Sequence, residues 1–209
     1  MNNTLLQVLM ILKNHSNHNY LVGGCVRDKL LGKVPHDWDI VTDVQMDIIE
    51  QSFTDNGWKV DATGKNFLVM NVSKNGEMFE IANFRKDGCY ADGRRPETVE
   101  IGTIYEDAER RDFTCNALYY EPFTDIIIDP LNQGIKDIEN RILRFVGNPK
   151  DRIQEDYLRV ARFYRFIGKG FTPDKKSLKA CRTYFENMML HTPAERLRIE
   201  IEKMVMGND

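Results

Sequence analysis

The sequence predicts an α+β protein in two parts, a mixed α/β head over residues 1–146 and a small all-helical unit over residues 147–209. Three observations carry this reading. Short apolar runs bounded by glycine and turn residues alternate with helical segments through the first part. Two of those runs, "FLVMNV" and "MFEIANF", are separated by "SKNGE" and read as a β-hairpin. From about residue 147 the pattern is helical, with apolar residues recurring at spacings of three and four.

The elements follow in order. Residues 4 to 14 form an amphipathic first helix. Its run "LLQVLMIL" is too short to cross a membrane, is interrupted by Gln7, and lacks the basic flank and small-residue cleavage site of an export signal. "NYLVGG" is a strand entering a glycine turn, and "CVRDKLL" is a short helix closed by Gly32. "HDWDIV", residues 36 to 41, is the next strand, followed by a helix over 45 to 55 and the hairpin. From Arg85 to Pro96, "RKDGCYADGRRP" mixes charges, glycines and a proline with no apolar period, which predicts a mobile loop. "IYEDAERRDFTCNALYY" adds a helix, and "DIIIDPLNQGIKDIENRILRFV" adds a strand, a short helix and another strand. In the second part, "RIQEDYLRVARFYRFIGK" sets Ile153, Tyr157, Val160, Ala161 and Tyr164 on one helical face, and further helices cover 175 to 188 and 193 to 206. There is no internal repeat and no low-complexity tract.

With 209 residues and 42% hydrophobic content, the chain can bury one substantial core or two small ones. A net charge of −3 excludes a protein that coats nucleic acid non-specifically, so any such contact must be concentrated in a local basic patch. Cys25, Cys89, Cys115 and Cys181 show no CxxC spacing, which predicts reduced thiols in a cytoplasmic protein and neither a zinc site nor a disulfide framework.

"HDWDIV" carries two aspartates where a plain buried strand would carry none. On a strand, Asp37 and Asp39 project to one side and Trp38 and Ile40 to the other. Two carboxylates so close call for solvation, protonation of one, or a bound cation. Just upstream, "LVGGCVRD" combines a strand, Gly23 and Gly24, and a helix start bearing Arg27. Glycines let backbone N–H groups approach a ligand, helix N-termini favour anions, and arginine forks onto phosphate oxygens. Taken alone, the same pair of glycines also reads as an ordinary tight turn. A carboxylate pair beside a triphosphate suits Mg²⁺, and two such ions serve an in-line displacement. Glu80, amid the apolar "MFEIANF", is the candidate third acid, with an ordinary ion pair to Arg85 or Lys65 as the alternative. His36 reads as a surface residue, since a hard metal prefers oxygen.

Asp156 and Arg159 are three apart, so a continuous helix would put them on one face. Cytosine and adenine both present an exocyclic amino donor beside an unprotonated ring nitrogen, which one carboxylate and one guanidinium complement; uracil and guanine present a carbonyl beside an N–H. A surface ion pair is the competing reading. Tyr157, Phe163, Tyr164 and Phe166 are expected in the core and domain interface. Met188, Met189, Met204 and Met206 read as adaptable core or a weak contact surface.

Six ordered segments, "LVGGCVRDKLLGKVPHDWDIVT", "FEIANFRKDGCYADGRRP", "RRDFTCNALYY", "DPLNQGIKDIENRILRFVG", "EDYLRVARFYRF" and "TPAERLRIEIEKM", resemble the motifs of the class II tRNA nucleotidyltransferases. These are the CCA-adding enzymes, whose superfamily includes the bacterial poly(A) polymerases. The resemblance runs from about residue 18 to 206. It implies a polymerase beta-like nucleotidyltransferase head followed by a helical neck that recognises the base. It also implies that Asp37 and Asp39 bind metal, that Glu80 is the third acid, and that Gly23, Gly24 and Arg27 hold the triphosphate. Arg111, Asp112 and Asn116 match positions that contact the ribose and phosphates of the incoming nucleotide. Asp156 and Arg159 match the base-reading pair, and Arg162 sits one turn on, suited to phosphate.

The implied activity is template-independent addition of CMP and AMP, from CTP and ATP, to the 3′ end of tRNA, with Mg²⁺ as cofactor. Poly(A) polymerase is the alternative, supported by the loosely similar "GKNFLVMNV". Intact Asp37, Asp39 and Glu80 argue against a non-catalytic binding module, and "RRDFTCNA" and "EDYLR" argue against a small-molecule nucleotidyltransferase. A loop like "RKDGCYADGRRP" favours full CCA addition over CC alone. Family members usually continue beyond the neck into body and tail domains. The expectation is therefore either a minimal enzyme or one piece of a longer or split enzyme, with a partner chain supplying the grip on tRNA.

Overall fold

The computed structural model describes residues 3–35, 37–88 and 98–207. Its centre is a seven-stranded sheet in the order β3-β4-β5-β2-β1-β8-β9. The strands are β1 (Asn19–Val22), β2 (Asp39–Thr42), β3 (Lys59–Asp61), β4 (Val69–Lys74), β5 (Glu77–Asn83), β8 (Tyr119–Glu121) and β9 (Ile126–Ile128). All neighbours run antiparallel except β2 and β5, which are parallel. The β4–β5 hairpin is set by Asn75 and Gly76, both at positive φ (55° and 80°), the conformation that matches the strand twist in a two-residue turn.

Both sheet faces are covered. Helix α1 (Asn3–Lys13) buries Leu5, Val8, Leu9 and Leu12, at the spacing of one helical face. With Ile49 and Phe53 of α3 (Met46–Asp55), these residues share a core with Leu21, Ile40, Met70, Phe79 and Ile81. The opposite face gathers Val22, Val41, Phe84, Tyr119 and Val146 around Ala108 of α4 (Ile104–Glu109). Helix α4 starts in a capping box, Thr103 accepting from Glu106 N–H while Glu106 accepts from Thr103 N–H.

Helix α2 (Gly24–Leu30) follows β1 directly. Strands β6 (Arg85–Asp87) and β7 (Val99–Ile101) form a separate antiparallel ribbon. Beyond β8 and β9 come α5 (Gly134–Glu139), β10 (Ile142–Leu143), α6 (Pro149–Glu155), α7 (Leu158–Gly168), β11 (Thr172–Pro173), α8 (Lys175–Thr183), α9 (Phe185–His191) and α10 (Ala194–Met206). The first core cluster continues past residue 146 through Ile153, Val160, Phe163 and Phe166 to Cys181 and Met188. An aromatic group closes this junction: Phe113 lies 4.9 Å from Phe145 and 5.2 Å from Phe166, and Phe145 stacks on Phe163 at 5.5 Å.

Several local expectations change. The strand expected over 36–41 begins only at Asp39, so Asp37 and Trp38 precede the ladder, and His36 lies outside the described residues. The run "FLVMNV" becomes a strand only from Val69, because Lys65–Phe67 form a 3-10 turn ending at Leu68 in the left-handed region, φ 58°. The segment expected as a loop from Arg85 begins as β6, while residues 89–97 lie outside the described residues. Tyr184 separates α8 from α9 where one helix was expected over 175–188. Met188 is buried, whereas Met189, Met204 and Met206 are exposed. Among the described residues no helix is long and apolar enough to cross a membrane.

Candidate active site

Parallel pairing of β2 with β5 sets Asp39 directly beside Glu80. Both occupy exposed positions in strands whose other residues are largely buried, and Ile40 and Ile81, next in register, enter the core on the opposite face. Although the residue keeps accessible surface, loss of hydration among the surrounding groups raises the Asp39 carboxyl above the usual range; the neighbouring Arg111 guanidinium opposes the rise, and Asp37 adds to it. Burial and the Asp39 charge likewise raise Glu80, against Arg85 and Arg111. Lys65, one alternative partner of Glu80, instead pairs with Asp47 and Glu50. Arg111 is thus the cation common to the acids. It is held from behind by Asp107, which receives its Nη2 at 2.9 Å, and by the Tyr119 hydroxyl at 3.3 Å from its Nε.

The glycine turn joins this group through backbone geometry. Gly23 sits at φ 78°, which disfavours any side chain, and a Cβ there would lie 3.6 Å from Arg111 Nη1 and 3.8 Å from Asp39 Oδ2. Helix α2 starts at the next residue and carries Arg27, almost wholly buried, at its fourth position. Arg27 Nη1 donates to Asn116 Oδ1 at 2.9 Å, and Asn116 Nδ2 donates to Asp112 Oδ1 at 3.1 Å. Asp112 Oδ2 accepts from Arg162 Nε and Nη2 at 2.9 and 2.6 Å. Glu200 of α10 extends the chain, 3.5 Å from Arg162 and accepting from Arg165 Nε at 2.7 Å. Burial alone would raise Asp112, but Arg162 and the Asn116 hydrogen bond bring it down to about 2.

These groups line one cleft of about 210 Å³. Of the residues expected from the sequence, Gly23, Gly24, Arg27, Asp37, Asp39, Arg111, Asp112, Asn116 and Arg162 face it; Glu80, Asp156 and Arg159 do not line it. The lining also includes Cys25 and Phe166, read from the sequence as a reduced thiol and a core aromatic, and Asp28 and Arg165, which the sequence reading did not single out. Arg165 was legible, since Arg159, Arg162 and Arg165 recur every three residues along α7. Arg27 and Arg165 sit over the Phe166 ring at 5.0 and 4.9 Å, so one aromatic face supports two guanidiniums.

The geometry expected for Asp156 and Arg159 is corrected. Asp156 lies in extended backbone (φ −153°, ψ 106°) between α6 and α7, so the two residues do not share a continuous helix. Its carboxylate accepts from Leu158 N–H at 3.1 Å and is clasped by Arg196 at 3.1 and 2.8 Å. Arg159 donates instead to Glu155 at 2.6 Å and to the carbonyls of Arg152 and Arg110 at 2.8 and 3.0 Å. An aspartate that can satisfy free N–H groups at a helix start competes with helix continuation, which explains the break.

Among the described residues no three His, Cys, Asp or Glu side chains converge as a complete metal cage. Asp37 and Asp39 nevertheless form an all-oxygen pair in which like charge raises Asp39. That donor set fits a hard divalent cation shared with ligand oxygens. Cys25, Cys115 and Cys181 are buried and unpaired; burial, with the nearby Asp39, pushes Cys25 up to about 12.

Residues 19–144 match the family model described as the poly A polymerase head domain. The chain belongs to this family. Within it, the chain is 37% identical over 206 residues to the CCA-adding enzyme of Geobacillus sp. (strain WCH70), covering 97% of this chain and 49% of the relative. Its fold matches that of the Bacillus stearothermophilus CCA-adding enzyme in complex with CTP, with TM-score 0.82 and 31% identity, over 98% of this chain and 49% of that one. A tRNA nucleotidyltransferase complexed with a primer tRNA and an incoming ATP analog gives TM-score 0.74 at 27% identity, over 93% of this chain and 55% of that one. The chain therefore spans about half the length of these poly A polymerase head-family relatives.

Proposed function

We propose that this protein is a template-independent RNA nucleotidyltransferase that adds CMP and AMP, from CTP and ATP, to the 3′ end of tRNA. The observation that carries the reading is one cleft holding the Asp37–Asp39 pair at one side and the Arg27–Asn116–Asp112–Arg162 chain at the other. The names of the similar proteins, which are CCA-adding enzymes or are bound to CTP or primer tRNA, support it.

In this reading the Gly23–Gly24 turn and Arg27 receive the triphosphate, and Arg162 and Arg165 supply further positive charge. Asp112 and Asn116, fixed by their mutual hydrogen bond, orient the ribose. Asp37 and Asp39 would hold Mg²⁺, which supplies activation of the primer 3′-hydroxyl and charge stabilisation of the leaving pyrophosphate. The 3′-hydroxyl oxygen bonds to the α-phosphorus as the α–β bridging P–O bond breaks and pyrophosphate leaves. Glu80, set beside Asp39 by the strand register but outside the cleft lining, would receive the 3′-hydroxyl proton through intervening water. Residues 1–146 act as the catalytic head and 147–209 as the neck, where Asp156 and Arg159, each fixed by other groups, read the base. The unpaired buried thiols suit a reducing cytoplasm.

The family model's own description favours poly(A) polymerase as the second reading. One experiment separates them: a tRNA lacking its CCA end is incubated with single nucleotides and Mg²⁺. Incorporation from CTP first, ending after a defined number of residues, supports CCA addition. Long runs from ATP alone overturn it in favour of poly(A) synthesis, and no incorporation removes both.

A further inference from the structure

Helix α8, Lys175–Thr183, reads "KKSLKACRT": four cations and no acid in a chain whose net charge is −3. Its N-terminal turn breaks a local rule. Asp174 caps the helix, accepting from Lys176 and Ser177 N–H, but the first turn then carries Lys175 and Lys176 and no acid. Cations there oppose the helix dipole, so the arrangement costs local stability. Such a violation points to a use other than folding.

The partners of the surrounding charges sharpen this contrast. The arginines that pack the helical unit are all engaged internally: Arg144 with Asp137 and Asp174, Arg152 and Arg159 with Glu155, Arg162 with Asp112, Arg165 with Glu200, and Arg196 with Asp156. Lys175, Lys176, Lys179 and Arg182 are exposed, and none forms an ion pair among the described residues. Ser177 and Cys181 are buried, fixing the opposite side of α8 to the core. Lys175, Lys179 and Arg182 follow at i, i+4 and i+7, a stripe of roughly 10 Å at 1.5 Å per residue.

Two grooves flank the stripe. One, of about 440 Å³, runs between α8 and the start of α6 and brings Lys150 opposite Lys176 and Lys179, with Asn148 and Tyr184 beside them. The other, of about 390 Å³, is lined by Lys175, Lys179 and Arg182. Neither has an acidic residue in its walls.

We propose that this face of α8, with Lys150, is a docking surface for the phosphate backbone of the RNA substrate, separate from the cleft that holds the nucleotide. The inference rests on the proposed RNA-directed function. Unpaired lysines act as point charges on phosphate, and duplex RNA is recognised by its phosphates and 2′-hydroxyls more than by sequence. A chain of net negative charge must concentrate those contacts, and among the described residues α8 carries a concentration of positive charge without ion-pair partners.

The test uses the whole chain. The double variant Lys176→Gln/Lys179→Gln is compared with wild type and with Lys59→Gln/Lys136→Gln, which removes the same charge from exposed sites elsewhere. Binding to a tRNA lacking its CCA end is measured at several salt concentrations, and CTP binding is measured separately. The expected result is about a tenfold loss of RNA affinity, a fall of about two in the slope of log affinity against log salt, and unchanged CTP binding, all confined to the α8 variant. Equal losses in both double variants would reduce the effect to overall charge and overturn the assignment. Wild-type-like RNA binding by the α8 variant overturns it while leaving the catalytic reading intact, whereas a wild-type protein that binds CTP but no RNA removes both. Loss of binding to phosphatidylserine vesicles with RNA binding unchanged would reassign the face to an anionic membrane.

Discussion

The Tyr119 hydroxyl donates to Asp107 Oδ2 at 2.6 Å, and that same oxygen receives Arg111 Nη2 at 2.9 Å. Asp107 has no exposed surface, and its charge is held by Tyr119, Arg110 and Arg111, with the Arg85 N–H also donating to it. Removing one member of such a buried set leaves the others uncompensated, at a cost of about 3–5 kcal/mol. Asp107→Asn should therefore lower stability in urea unfolding, whereas Tyr119→Phe, which leaves both arginines in place, should cost less. Equal stability of Asp107→Asn and wild type would show that the arginines find other partners.

The same carboxylate sets an acid limit. Burial would raise Asp107, but Arg111, Arg110 and Tyr119 bring it down to about 2, below the unfolded value near 3.9. A depressed acid contributes stability that is full above the unfolded pKa and is lost as pH falls through the folded one. Asp112, also about 2, acts in the same direction. Urea midpoints should fall between about pH 4 and pH 2, and Asp107→Asn should flatten that fall.

Asp39 has the opposite sign. Its raised carboxyl makes ionisation unfavourable in the folded state, so Asp39→Asn should leave the melting temperature at pH 7 unchanged or higher, with any gain vanishing below about pH 4. Nucleotide incorporation should nevertheless be lost. Near-normal turnover by this variant would remove Asp39 from the chemistry.

Asp156→Ala should relax base choice more than it weakens nucleotide binding, because the residues proposed to hold the triphosphate line a cleft that Asp156 does not line. A site built to hydrogen-bond one pattern rejects others through unpaired buried groups. UTP incorporation should rise relative to CTP, and an unchanged preference would refute the role.

Gly134→Ala tests the scaffold beneath Asn116. An added Cβ would stand 2.5 Å from the Thr114 carbonyl oxygen and 2.8 Å from a Leu118 methyl, on either side of the turn that presents Asn116. Overpacking of this kind costs about 1–3 kcal/mol, and the displaced turn should weaken CTP binding as well as lower the melting temperature. A variant that melts and binds like wild type would mean that the turn yields freely.

The parts of the fold encoded locally were legible in the sequence. Gly23–Gly24, Asn75–Gly76 and the spacing in α1 each carry their own signal. The polar "RKD" of β6 carries none, because that strand is specified by its partner "VEI" across a long excursion. Glu80 could be suspected from its apolar neighbours, but its register with Asp39 is a long-range relation that no window contains. Asp156 was misjudged geometrically because the rule for residues three apart presumes an unbroken helix, and Asp156 itself caps the start of the next one. Glu200 escaped notice because nothing in "LRIEIEK" tells a buried carboxylate from the exposed Glu202, and only the distant Arg165 makes the difference.

The parallel alignment of β2 with β5 also governs when the acids first meet. Their side-by-side placement requires α3, β3 and the β4–β5 hairpin to be in place, a closure of some forty residues that must precede any reward from the pairing. A nascent chain that has emerged only as far as β4 carries Asp37 and Asp39 without the strand that brings Glu80 beside them. The Asp39–Glu80 juxtaposition is consequently withheld until the sheet has closed, and a half-made molecule carries the two aspartates without the third acid.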